Sequence, residues 1–503
     1  MNTVPKTLTI SILAEKLRAL GNAGKRIVLC HGVFDLLHIG HIRYLRQAAE
    51  LGDVLVVTVT PNRFVDKGPH RPAFNEHLRL EAVASLDCVT FAAINEWPTA
   101  EQTLRLLKPH VYAKGAEFKN LEDPTGKIAA ENAVVLEIGA QMCFVDDVVF
   151  SSSNLINRYM STLSEDCQDY LRQFRQRHSL ASVIKNLERM RPLKVLVVGD
   201  MILDEYVYCS AMGVSSKDPA LAVQRHSHEV FAGGAAAIAN HVSQHVEEVT
   251  LCTVMGEDGK TDFVQERLSS NVIMRPVVRP ASPTLCKSRI LDGYSLQKLI
   301  EVYHGDLSPL TGEADRSFCK LVEPLLSQHD LVIAADFGNG CISSAMVDVL
   351  GGSPYLCVNT QANAGNRGLH TISRYPHADF ISLASHEIVL EYRNSTLSTG
   401  EMMEDLQKRL HAGTVLVTEG RKGCAVLCGD FVRAPSFASN VVDRVGAGDA
   451  LFSITALGSY LGFSPDLLAF IGNIAGSLAV ESIGNAKSVG REAMYRYITS
   501  IMK

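Results

Sequence analysis

The chain lacks a paired-cysteine motif. Its twelve cysteines are scattered with no C-x-x-C, and the two nearest, Cys424 and Cys428, fall in an apolar, strand-like run. That spacing excludes a disulfide framework or a zinc ribbon, and the thiols read as reduced core residues. A marked charge imbalance is also missing: the net charge of −6 gives nucleic acid or an anionic membrane surface little to hold. No uninterrupted apolar run reaches membrane-spanning length, and the first 21 residues have neither the basic start nor the apolar core of a secretory leader. Short-period repeats and low-complexity tracts are absent as well. The expectation is a soluble cytoplasmic protein with neither nucleic-acid nor membrane partners.

What is present is enough apolar residue, 47% of 503, to bury two or three cores, and a length that predicts more than one domain. In the first part RIVLCHG, VLVVTVT, CVTFAAI, HVYAKG and AVVLEIG read as buried strands separated by helix-length stretches such as 43–51 and 75–85. Residues 163–190 turn charged with helical spacing, and a second series opens at Lys194 with KVLVVGD, EVTLCTVMG, DLVIAADF, YLCVNT, DFISLA and TVLVTEG. The fold class expected is α/β, with two doubly wound parallel sheets. The division expected is 1–162, a helical linker 163–190, and 191–503.

Residues 30–45, CHGVFDLLHIGHIRYL, place a strand end, Gly32, Asp35 and two histidines at the mouth of a helix. Unpaired N–H groups and the helix dipole make such a mouth favourable for phosphate. His38 and His41, three apart, share one side of the first turn and can donate to a phosphate whose charge grows during reaction. Two ordinary structural histidines are the plain alternative. A second signal is NVVDRVGAGDALF at 440–452, where Gly446, Ala447 and Gly448 open a helix and Asp449 sits in its first turn. Helix amides would again meet phosphate, and Asp449 would take the proton of an attacking hydroxyl. A bare glycine turn followed by an aspartate is the competing account of those four residues.

With Gly32-Val33-Phe34-Asp35 ahead of it, the segment His38–His41 resembles the signature of the nucleotidyltransferase superfamily, which includes cytidylyltransferases and heptose-phosphate adenylyltransferases. The same four letters match the class I aminoacyl-tRNA synthetase motif, but no K-M-S-K-S-like loop or basic RNA-binding segment follows. Over about residues 25–160 the chain is similar to the adenylyltransferase half of bifunctional heptose-phosphate enzymes, through these residues and Lys67-Gly68, Arg71-Pro72, Arg79 and Lys114-Gly115. The resemblance implies that Gly32, Phe34, Asp35, Lys67, Arg79 and the turn Ser151-Ser152-Ser153 bind nucleotide and phosphate, with His38, His41 and Lys114 catalytic. Lys67 or Lys114 as a solvated loop charge and the serines as a helix cap are the alternatives. His31 stands where those enzymes usually have Asn.

Residues 192–500 resemble the ribokinase, or PfkB-type, carbohydrate kinases. That resemblance makes Asp449 the catalytic base and Gly446, Ala447 and Gly448 the anion hole. It also assigns Asp204, Gly233 and Gly234 to the sugar, and Glu387 to magnesium through water. Lys287 and Arg289, alternate residues of an expected strand, point to one face and could hold a substrate phosphate, or form an exposed basic edge. Departures are Ala237 and Ala384 in place of family asparagines, and the polar run 359–367, NTQANAGNR, in place of the segment expected in heptose kinases. Domain order is reversed relative to the familiar heptose enzymes.

The expected function is bifunctional sugar activation. An ATP- and Mg²⁺-dependent kinase would act on a sugar or sugar phosphate, with heptose 7-phosphate favoured. A nucleotidyltransferase would join a sugar 1-phosphate to a nucleotide, with ADP-heptose favoured, and release pyrophosphate. The alternatives are a CTP-dependent cytidylyltransferase for another sugar or polyol phosphate, and a kinase-like domain that is weak or only binds. By the same resemblance a pathway phosphatase acts between the two steps, and the reading leaves room for a homo-oligomer.

Overall fold

The computed structural model describes residues 6–65, 72–115, 127–145, 163–366, 369–394 and 396–502. The chain divides into two compact units, one of residues 1–162 with 495–503 and one of residues 163–494.

The first unit holds five parallel strands, β1 (Ile27–Gly32), β2 (Val54–Val59), β3 (Phe91–Ile94), β4 (Val111–Gly115) and β5 (Gln141–Val145), in the order β3-β2-β1-β4-β5. Val28, Leu29 and Cys30 in β1 and Val56 and Val57 in β2 have no exposed surface, as expected of a sheet covered on both faces. Chain order reverses between β1 and β4, so their carboxyl ends flank the crevice where such sheets take ligands. The helix Ile39–Ala49 starts there, and Tyr44 on it donates its hydroxyl to the Ala113 carbonyl at 2.7 Å.

One expected strand is a helix. AVVLEIG falls in Lys127–Glu137 and the turn after it, and the strand comes next, at Gln141. Val134 and Val135 are buried while Leu136 is 70% exposed, a helical arrangement that four adjacent apolar letters cannot reveal.

The second unit is built on β6 (Lys194–Val214), β7 (Leu221–Gly234), β8 (Glu248–Gly256), β9 (Val272–Arg279), β10 (Cys286–Asp292), β11 (Lys298–His304), β12 (Leu331–Asp336), β13 (Leu356–Thr360), β14 (Phe380–Ala384), β15 (Thr414–Thr418), β16 (Cys424–Cys428) and β17 (Asp430–Ala434). Its core is parallel as expected, with the first half of β6 lying between β8 and β12, and β13, β14 and β15 following. Two parts are not wholly parallel. β16 and β17 add an antiparallel edge, and the second half of β6 leaves the core to pair antiparallel with β7 while also carrying β10 and β11. This four-stranded flap is half exposed, which is why its strands give no continuous apolar run.

The expected linker forms two helices, Glu165–Arg177 and Leu180–Glu188, that dock on the second unit. Phe174 stacks on Phe470 with centroids 4.1 Å apart, and His178 Nε2 lies 2.7 Å from Oδ2 of Asp466. The charged letters of this segment face water while Cys167, Leu171 and Phe174 are buried, so the amphipathic pattern marks a packed face rather than a tether.

Candidate active sites

At the end of β1, Phe34 is held at φ 48°, a conformation that costs a non-glycine residue energy and is met where surrounding packing enforces it. Its buried ring meets His41 edge-on at 5.5 Å. His38 is the N-cap of the helix rather than part of its first turn, and its Nδ1 accepts the Gly40 amide at 3.1 Å. Because that nitrogen accepts, the neutral ring carries its proton on Nε2, which makes Nε2 a donor. The His38 and His41 rings lie 4.1 Å apart, so the pair is real although its geometry comes from a cap and a helix position together.

Other expected ligand residues of this unit are engaged by protein. Asp35 is buried and accepts the Ala73 amide at 2.6 Å and the Phe74 amide at 3.4 Å, which fastens a neighbouring loop. Arg79, only 1% exposed, donates to the carbonyls of Phe74 and Val33 and to Oδ1 of Asn62 at 2.9, 2.5 and 2.7 Å. These contacts tie Arg79 to the turn after β1. Lys114 is buried and lies 2.8 Å from Glu131, a partner no motif announced. His31 presents Nδ1 to Thr58 at 3.0 Å and Nε2 to Thr60 at 3.2 Å. Lys67 and Ser151, Ser152 and Ser153 lie outside the described residues.

In the second unit, Gly446 caps the helix Ala447–Tyr460 at φ 83°, and a Cβ there would overlap Oδ1 of Asn485, so glycine is required twice over. Asp449 is buried in the first turn and accepts the side-chain amide of Gln361 at 2.8 Å. Burial, and then the Asp204 carboxylate, push it up to about 7, while Gln361 and Lys287 oppose the rise. Asp204 has one oxygen 2.5 Å from Arg289 and the other accepting Asn485 Nδ2 at 3.1 Å. A Cβ at Gly233 would overlap that carboxylate, and Gly234 caps the helix Ala235–Ser243.

Lys287 and Arg289 face the same way on β10, opposite Asp204 and Tyr206 of β6. Both are buried, so they line an interior and not an exposed edge. Burial pushes the Lys287 ammonium down from its ordinary value, and Asp204 opposes it. Arg289 is different: burial works against its charge, but Asp204 outweighs it and raises it. Glu387 accepts the amides of Ala362 at 3.1 Å and Ala384 at 2.6 Å, and burial pushes it up to about 7, with Asp449 adding to the rise. Ala237 is a buried helix residue, and Ala384 ends β14. Among the described residues no group of three or more His, Cys, Asp or Glu forms a ready metal cage.

Two separate parallel sheets thus each present a helix N-terminus for phosphate, one beside paired imidazoles and the other beside a buried carboxylate. This is the construction of a phosphate-transferring α/β enzyme. Sequence comparison agrees, matching the pfkB family of carbohydrate kinases over residues 192–490 and the cytidylyltransferase-like family over residues 29–158. The chain belongs to the pfkB carbohydrate kinases and carries a cytidylyltransferase-like region ahead of the kinase region.

It is 38% identical over 162 residues to the bifunctional protein HldE of Pelobacter propionicus, covering 31% of this chain and 30% of that one. To the bifunctional protein HldE of Koribacter versatilis it is 26% identical over 308 residues, covering 58% and 60%. The chain therefore spans less than two thirds of the curated relatives it matches. The fold is also similar to phosphofructokinase-2 from Escherichia coli in complex with potassium, with a TM-score of 0.51 at 14% identity over 62% of this chain and 100% of that one. No helix among the described residues is long and apolar enough to cross a membrane.

Proposed function

We propose that the chain is a bifunctional sugar-activating enzyme: a kinase that moves the γ-phosphoryl group of ATP to a sugar phosphate, favoured as heptose 7-phosphate, and a transferase that joins a sugar 1-phosphate to a nucleotide, favoured as ADP-heptose. The observation that carries the kinase half is Asp449, buried at the start of a glycine-capped helix with its ionisation poised at about 7. A general base works best near the ambient pH, and the amides of Gly446, Ala447 and Gly448 supply the positive end of the helix to the transferred group. Asp449 would take the acceptor proton while Asp204 and Arg289 orient the sugar and Lys287 meets its phosphate.

Mg²⁺ fits the residues present. Glu387 would hold it through water, since this ion keeps several waters and is commonly bound by one or two carboxylates plus substrate phosphates. When bound, it would neutralise charge shared between the β- and γ-phosphates. In the first unit, a sugar-phosphate oxygen would attack the α-phosphorus in line and pyrophosphate would leave. His38 Nε2 and His41 would donate to the crowded phosphate, with Lys114 nearby. For the transferase nucleotide ATP is favoured, in keeping with ADP-heptose as product, and CTP is the alternative.

By analogy with the heptose route, the kinase product keeps two phosphates and a separate phosphatase acts before nucleotidyl transfer. Purified protein with Mg²⁺ is supplied with ATP or CTP and heptose, hexose or polyol phosphates, with and without a sugar-bisphosphate phosphatase. ADP release from heptose 7-phosphate, and nucleotide sugar only when the phosphatase is present, are expected. Nucleotide sugar without it would point to a kinase acting at the anomeric hydroxyl. No ADP release with any acceptor would leave the second unit a binding module.

A further inference from the structure

The carboxylate of Asp443, three residues ahead of Gly446, is buried where the flap meets the phosphate turn. Its Oδ1 accepts Lys298 Nζ of β11 at 2.8 Å and the Val445 amide at 3.2 Å. Its Oδ2 accepts the Tyr206 hydroxyl of β6 at 2.7 Å and the Gly484 amide at 3.1 Å. Each oxygen therefore joins a side chain of the flap to backbone at or beside the turn. The same parts meet again at Asn485, whose Nδ2 donates to Asp204 of the flap at 3.1 Å and whose Oδ1 is the atom a Cβ at Gly446 would strike. Gly484 packs under the Tyr206 ring, where an added Cβ would come within 2.9 Å. Lys298 and Tyr206 stand 145 and 237 positions from Asp443 in the chain, so the joint is made by the fold and no local motif announces it.

Resting on the kinase reading above, we infer that Lys298 is a positioning residue for phosphoryl transfer: through Asp443 it holds the turn 443–446 in register with the flap. The flap carries the acceptor groups Asp204, Lys287 and Arg289, and the helix that Gly446 opens carries the amides for the transferred group. Their alignment depends on what joins the two, and a misplacement of about 1 Å between reacting groups can cost about 10²-fold in rate. A carboxylate as buried as Asp443 is held in place by its counter-charge, and Lys298 supplies that charge from the flap side. Without it, the acceptor that fixes the Val445 and Gly484 amides is itself loosened. The Lys298 side chain is 39% exposed, so it can be replaced without opening a cavity in the core. Its Nζ is spent on Asp443, and it acts on the reaction through the turn.

The test is steady-state phosphorylation of heptose 7-phosphate by the full chain, in wild type, Lys298→Met and Lys298→Arg, beside backbone hydrogen exchange read by mass spectrometry. Lys298→Met should lower kcat about tenfold while KM for heptose 7-phosphate and for ATP changes less than about threefold, because alignment is lost in the transition state and not in the ground-state complexes. Lys298→Arg keeps the charge and should return kcat to within about threefold of wild type. The amides of 444–448 should exchange about tenfold faster in Lys298→Met and also in Tyr206→Phe, although both changes are made in the flap. A KM rise with kcat unchanged, or exchange that quickens only within the flap, would overturn the inference, since a role in stiffening the flap alone does not reach the turn. If wild type phosphorylates nothing, faster exchange at 444–448 in Lys298→Met fails the kinase reading while keeping the joint, and unmoved exchange there fails both.

Discussion

Lys114 Nζ lies 2.8 Å from Oε2 of Glu131, with the two side chains 10% and 6% exposed. Lys114, which the resemblance makes catalytic, therefore already has a carboxylate partner, and a nucleotide phosphate reaching it would compete with Glu131. Tyr112 adds its hydroxyl to the same Glu131 oxygen at 3.1 Å. Glu131→Gln breaks a buried ion pair, which typically costs about 3 kcal/mol. The variant should melt several degrees lower, and saturating nucleotide should raise its Tm more than it raises that of wild type. Equal nucleotide shifts in the two proteins would separate Lys114 from the triphosphate.

The imidazole pair should act in the transition state. His41→Ala is expected to lower kcat for nucleotidyl transfer by about 10²-fold or more, with nucleotide affinity changing much less. Steady-state kinetics beside equilibrium binding checks this. Near-full turnover would make the pair structural.

How much of this was readable in advance follows from the kind of signal each residue gives. The core strands β1, β2, β12, β13, β14 and β15 are continuous apolar runs because both faces are covered, and such runs survive translation from letters to fold. AVVLEIG looked the same and became helix, since adjacent valines carry no period of their own. His38 and His41 are legible because a motif fixes them to a strand–turn–helix crossing, and Asp449 because a glycine turn opens its helix. Glu131, Gln361 and Asn485 were not: each is a common polar residue whose role comes from what the fold carries to it across the chain, 88 positions in the case of Gln361 and Asp449. Arg79 is legible only as part of a family resemblance, and its bonds to the carbonyls of Phe74 and Val33 come from the fold.

Asp449 also predicts a pH effect on stability. Its folded-state value of about 7 lies above the ordinary carboxylate value of 3.8, so the stability it contributes is present at low pH and is lost as pH rises toward about 7. Asp449→Asn removes that loss. The variant should gain Tm relative to wild type at pH 8, and the gain should shrink by pH 4. A difference that does not vary with pH would contradict the raised value.

The docked helix Glu165–Arg177 should matter to the second unit alone. Phe174 has no exposed surface, and Phe174→Ala should cost about 3–5 kcal/mol by opening a cavity against Phe470. Denaturant unfolding followed with separate probes for each unit should show the loss in one transition only. A silent substitution would return the segment to the part of a tether.

The central claim, two independent phosphate chemistries on two sheets of one chain, is tested most directly by measuring ADP release and pyrophosphate release side by side in wild type, His41→Ala and Asp449→Asn. Both activities should be present in wild type. His41→Ala should lose pyrophosphate release by about 10²-fold and keep phosphorylation, and Asp449→Asn should show the reverse, since a carboxamide keeps the size of the base but cannot take a proton. Loss of both activities in either variant, or of neither, would contradict the account.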